Sequence, residues 1–267
     1  MDVSRTRGTW NTPATWLVGA ALVAVLALTG YVALGGSDDD GNGAGKDGAT
    51  PSVSQSASLA PTYTVPDDWT EPEHWAALPR GQRTDRYGNE VGFPHTTEGA
   101  VAALTAANTT DVEGERTLRD EQLANYHSYV AKGDQTDQNT ENVELASIDA
   151  DKEMHQKMGL PVGSDLPSGA YVRNTVVAYK VIKASPDEVS VWLLAKVTQK
   201  AGETQKESVS YTRTLMAGIW EDGDWKMSSH ALVRASQQTA GQPKPQMAVP
   251  GDAAFNEHGW TAIREAS

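Results

Sequence analysis

The chain has 267 residues and a formal net charge of −13. Acid excess of that size argues against nucleic acid as a direct partner, because phosphate binding needs a basic footprint and no window of this sequence supplies one. The chain has no cysteine, which excludes a disulfide framework, a thiolate metal site, a thiol nucleophile and a lipobox.

The first element in chain order is the apolar run at residues 16–34, WLVGAALVAVLALTGYVAL. It holds no charge, and at about 1.5 Å per residue it spans a hydrocarbon core of roughly 30 Å. Trp16 and Tyr31 sit near its ends, where interfacial aromatics belong. Arg5 and Arg7 precede it, and Asp38, Asp39 and Asp40 come after it. The positive-inside rule then makes residues 1–15 a cytoplasmic stub and places the bulk of the chain outside. The expectation is a single-pass protein of the cell membrane, with the bilayer as partner for residues 16–34. A cleaved signal peptide is the competing reading, with Arg5 and Arg7 as its basic region and Ala33-Leu34-Gly35 as a weak cleavage site.

Residues 35–66 are rich in Gly, Ser, Asp, Ala, Thr and Pro, a composition without the apolar surface to offset chain entropy, and they are read as a flexible linker. Within them Asp38, Asp40, Asn42 and Gly43 match half of a calcium loop. The twelfth position, which must carry a bidentate glutamate, is Ala49, so the match is read as linker.

Residues 67–95 read as an ordered lead-in whose Trp69 and Trp75 dock it onto the adjoining domain. Residues 96–234 read as one α+β domain outside the membrane. Thr96 or Thr97 caps a first helix in which Val101, Leu104 and alanines form a small-residue face. A second helix is expected over residues 118–131, and a third over 148–158, stopped by Gly159-Leu160-Pro161. Residues 170–184, 189–198 and 208–220 then alternate as β-strands, and a tight Asp222-Gly223 turn leads to a fourth strand at 225–233. Short turns between sequential strands predict a four-stranded antiparallel sheet with the N-terminal helices packed on its curved face. Residues 235–267 read as a tail with Trp260 and Ile263 docking locally.

No residue is assigned a catalytic, cofactor-binding or metal-binding role, and no cofactor is implied. His74, His95, His127, His155, His230 and His258 show no paired ligand spacing and read as surface residues. Nucleophile elbow, P-loop and dinucleotide fingerprints are missing from the sequence. Asp111, Glu113 and Glu115 form an acid/base pair only on paper and read as a solvated loop. Asp120 and Glu121 fit the positive end of the helix dipole. Trp220 and Trp225 flank the hairpin turn and are expected to pack together.

The hairpin from Trp220 to Met227, coming after the helices and near the end of a meander, resembles the nuclear-transport-factor-2-like (cystatin-like) superfamily over about residues 96–233. A cytoplasmic stub, one membrane helix, a linker and such a domain resemble TcpC-type assembly proteins of conjugation and type IV secretion machines. The Ala-rich, acidic composition is also similar to membrane proteins of high-GC actinobacteria. The resemblance implies a non-catalytic scaffold that self-associates and has protein partners in the envelope. Two alternatives stand beside it. One is a small-ligand binder or enzyme using a cone-shaped pocket, which His127, Asp149 or His230 could line. The other is an accessory or sensor domain.

Overall fold

The computed structural model describes residues 69–264. The apolar run at 16–34 and the linker at 35–66 lie outside the described residues. The expectation of a membrane-spanning helix, and with it of a single-pass protein at the cell membrane, is corrected: among the described residues no helix is long and apolar enough to cross a membrane. The longest helix there has 22 residues, enough length, but it carries Glu141, Glu144, Asp149, Asp151, Lys152, Glu153 and Lys157. That many charges in hydrocarbon would be prohibitive.

A short strand β1 (Trp75–Ala77) opens the fold, followed by the ribbon β2 (Arg83–Thr84) and β3 (Glu90–Val91). Helix α1 (Thr97–Ala107) starts where the Thr96 hydroxyl accepts from the Gly99 N–H at 3.0 Å. Gly99 is required there for another reason: a Cβ would lie 1.9 Å from the Pro94 carbonyl oxygen. Strand β4 (Thr110–Glu113) leads to α2 (Leu118–Tyr129), capped by Thr117. Helix α3 (Asp137–Met158) begins well before the expected residue 148, because Thr136 caps it there; it buries only one narrow stripe. Its first turns, DQNTENVELA, lack the apolar periodicity that marks a helix in sequence. Gly159 ends it in the left-handed conformation, φ 68°.

Strands β5 (Ala170–Ala184), β6 (Glu188–Ala201) and β7 (Ser208–Glu221) are long and antiparallel. Asp222 and Gly223, both with positive φ, make the tight turn into β8 (Asp224–Met227). The fourth strand stops there, because the Ser228 hydroxyl accepts from Ala231 N–H and starts α4 (Ser229–Thr239). Beyond it come α5 (Ala253–Glu257) and β9 (Thr261–Arg264).

The four-stranded antiparallel sheet expected from sequence is therefore corrected. The sheet has seven strands in the order β1-β9-β5-β6-β7-β8, with β4 also on β5, and the β1–β9 pair is parallel. The arrangement with helices only at the N-terminal side is corrected too. Helices α1 to α3 cover one face, while α4 and residues 246–260 cover the other. Ala217, Ala231 and Ala235 join α4 to the sheet, and Phe255 and Trp260 pack near Leu194 and Ala178. Short β1, β4 and β9 escape sequence reading because strands of three or four residues are stabilised by the neighbours they join, not by their own pattern.

The inner core is divided by a polar layer. One apolar cluster contains Leu104, Tyr126, Val143, Val176 and Leu193; a second contains Val112, Leu118, Ala150, Met154 and Val172. Between them each element places a polar residue in register. On α2, Gln122 lies one turn from both Leu118 and Tyr126. On β5, Asn174 alternates between Val172 and Val176, and its cross-strand partner is Thr110. On α3, Ser147 lies between Val143 and Ala150. With Asn108 at the end of α1, all of these are buried, Asn108, Gln122 and Ser147 to 0% exposure.

Candidate functional site

The feature best placed to act is the outer edge of β7. That strand pairs with β6 from Ser208↔Gln199 to Ile219↔Glu188, whereas β8 covers only Gly218 to Glu221. Among the described residues no strand pairs with β7 between Ser208 and Met216 on the side away from β6; at Ala217 the carbonyl already accepts from Ser228 N–H at 3.2 Å. An edge of that length presents a row of unpaired N–H and C=O groups, and proteins ordinarily blunt such edges with Lys, Pro or a bulge. Here the sequence is SVSYTRTLMA, with one arginine and no proline or lysine.

Register fixes which side chains accompany the edge. Ser210, Thr212, Thr214 and Met216 lie opposite Val197, Ala195, Leu193 and Val191, and so point to the inner face. Val209, Tyr211, Arg213 and Leu215 point to the outer face. The Arg213 guanidinium donates to the Pro245 carbonyl at 2.5 Å and lies 5.8 Å from the centre of the Trp192 ring. Burial pushes the Tyr211 phenol above its usual range. The Thr212 hydroxyl oxygen is buried without a hydrogen-bond partner.

The hairpin that begins where the open edge ends is firmly held. Trp220 and Trp225 pack edge to face, 5.5 Å between centroids, and His95 lies flat on Trp220 at 3.9 Å. The His95 ring also approaches the Pro186 carbonyl at 2.8 Å and the Asp187 carboxylate at 3.0 Å. Trp225 is buried and donates its indole N–H to Pro94 O at 2.9 Å. Sequence spacing correctly places the two tryptophans together; the stacked histidine arrives from the far side of the chain.

The residues suggested to line an interior pocket lie at or near the surface of the described residues. Asp149 and His230 are exposed, and His127 is half-buried, stacked on Tyr87 at 5.0 Å. Asp111 and Glu113 are not a loose loop but sit on β4, where Arg173 of β5 holds them at 3.1 Å and 2.7 Å. His155, read as a surface residue, is buried; its ring nitrogens approach Asp151 O at 2.8 Å and Ser164 O at 2.9 Å. It borders a cavity of about 70 Å³ with Arg116, Thr117, Asp151 and Asp165, far below the roughly 300–1,000 Å³ of small-molecule pockets. Among the described residues no group of three or more His, Asp or Glu is placed to hold a metal ion.

Sequence reasoning passed over the interior polar groups. In the polar layer, Asn108 Nδ2 and Oδ1, Thr110 Oγ1, Gln122 Nε2 and Oε1, and Asn174 Oδ1 are buried with no hydrogen-bond partner. The signal was present: Gln122 and Asn174 each fall on the periodic positions that bury their neighbours. Glu121, next to Gln122, has its carboxyl pushed up by burial, against the pull of Arg116 at 2.9 Å. Comparison with protein-family models, curated proteins and solved structures finds no match for this chain.

Proposed function

We propose that this protein is a non-catalytic assembly scaffold that works by protein–protein contact, of the kind found in conjugative transfer and secretion machines. The observation that carries the reading is the open edge of β7. Strand addition at such an edge supplies affinity through main-chain hydrogen bonds and specificity through alternate side chains. The likeness of the Trp220–Met227 hairpin to that of nuclear-transport-factor-2-like assembly domains supports it.

The test is a photo-activatable amino acid at Val209, which is 48% exposed, in full-length protein expressed in its own cells. Discrete protein adducts from position 209, and none from a control at Val181 (39% exposed), are expected. Equal labelling at both positions, or none at either, overturns the reading.

A second reading, a binder of a small neutral polar molecule, is favoured by the polar layer. Buried amide and hydroxyl groups without hydrogen-bond partners, lying between two apolar clusters, are what would hold such a ligand. Native mass spectrometry of gently purified protein tests it: a bound non-protein mass lost in Gln122→Leu supports it, and the bare chain mass sinks it.

A further inference from the structure

Resting on the scaffold reading, we infer that the partner of the β7 edge is a second copy of this chain, paired antiparallel about a two-fold axis at Thr212. A two-fold axis perpendicular to an antiparallel ladder passes between one residue and its own counterpart, so each possible register is named by its central residue. Centring on Thr212 uses the open edge from Ser208 to Met216 and opposes complementary side chains throughout.

On the outer face Tyr211 meets Arg213 of the other copy, twice, a cation–π pairing. Val209 meets Leu215, joining an exposed valine to a leucine already packed beside α4. On the inner face Ser210 meets Thr214, and Thr212 meets itself. Two threonines directly opposite each other are a recognised favourable cross-strand pair. The neighbouring registers are worse. Centring on Arg213 opposes two arginines, and like charges directly opposite destabilise a sheet. Centring on Tyr211 sets Val209 against Arg213 and leaves Leu215 and Met216 unpaired. The acidic chain opposes association at long range, so the dimer strengthens as salt screens the net charge.

The cysteine-free sequence makes the test direct. Full-length Thr212→Cys, treated with a mild oxidant or a short bis-thiol reagent, is expected to give a covalent dimer. Val181→Cys under the same treatment stays monomeric. Independently, sedimentation of the unmodified chain is expected to show a concentration-dependent dimer that grows with added salt. A chain monomeric at every concentration, or equal cross-linking at positions 181 and 212, overturns self-pairing. If Val209 photo-adducts then fall on a different protein, the scaffold reading survives and only the identity of the partner changes. If no adducts form, both fall.

Discussion

Asp224 and Lys226, two residues apart on β8, form an ion pair at 3.0 Å that fastens three separate parts of the chain. Asp224 is buried and also accepts from the backbone N–H groups of Phe93 at 3.0 Å and Trp225 at 2.9 Å. Lys226 donates to Ser128 O at the end of α2, 2.6 Å away. The lead-in, the hairpin and α2 therefore meet on one carboxylate. Asp224→Ala leaves two backbone donors without their acceptor and a largely buried ammonium without its counter-charge. It is expected to cost about 3 kcal/mol, read as a fall in denaturant midpoint; a loss under about 0.5 kcal/mol, the level of ordinary surface changes, would refute the role.

The approach of α1 to Pro94 depends on Gly99. Gly99→Ala puts a methyl 1.9 Å from the Pro94 carbonyl oxygen, a backbone atom that cannot rotate away. Helix propensity alone would favour alanine by about 1 kcal/mol. Overpacking should win, with a net loss at the upper end of about 1–3 kcal/mol, visible by thermal unfolding. A stabilised variant would show that α1 can shift freely.

Gln122 costs stability if its amide has no partner. A buried unsatisfied polar group is worth about 1–3 kcal/mol against the fold, whereas an apolar replacement of similar shape is close to neutral or better. Gln122→Leu is expected to raise the melting temperature in ligand-free protein. A marked loss instead would mean that the amide is satisfied in solution by bound water or ligand.

Two glutamates should shift stability with pH in opposite directions. The Arg234 guanidinium, donating to Glu188 at 2.5 Å, is the main cause holding that carboxyl below its ordinary value of 4.5. Its contribution is present above pH 4.5 and is lost as pH falls through the depressed value, so Arg234→Ala should flatten acid denaturation there. For Glu121, burial raises the carboxyl above 4.5. Stability from that group is present below pH 4.5 and lost as pH rises through the raised value. Glu121→Gln should therefore be the more stable chain at neutral pH, with the advantage shrinking toward pH 4.5. Parallel profiles for variant and parent would refute either assignment.

Much of the secondary structure is legible in the sequence because it rests on local chemistry. Thr96 and Thr117 cap helices where capping rules put them, and Asp222-Gly223 turns the hairpin because it tolerates positive φ. The β-branched runs of β5, β6 and β7 announce themselves for the same reason. Trp220 and Trp225 are brought together by that turn alone. What sequence periodicity misread is α4, where β-like residues 225–233 hide the Ser228 cap, and the first half of α3, whose polar surface carries no periodic stripe.

The tertiary structure alone decided the rest. Strands β1 and β9 are too short to signal themselves and exist because each completes the other beside Ala178 and Tyr179 of β5. Periodicity marks Gln122 and Asn174 as inward-facing, but no one element shows a polar layer, since Gln122, Asn174, Thr110 and Ser147 share a level only when helices and sheet pack. Likewise Ser208 to Ala217 reads as a strand in sequence, but an edge is defined by what does not lie beside it. Local propensity determined where this chain is helical or extended. Long-range pairing, which no single segment encodes, determined which strand was left open.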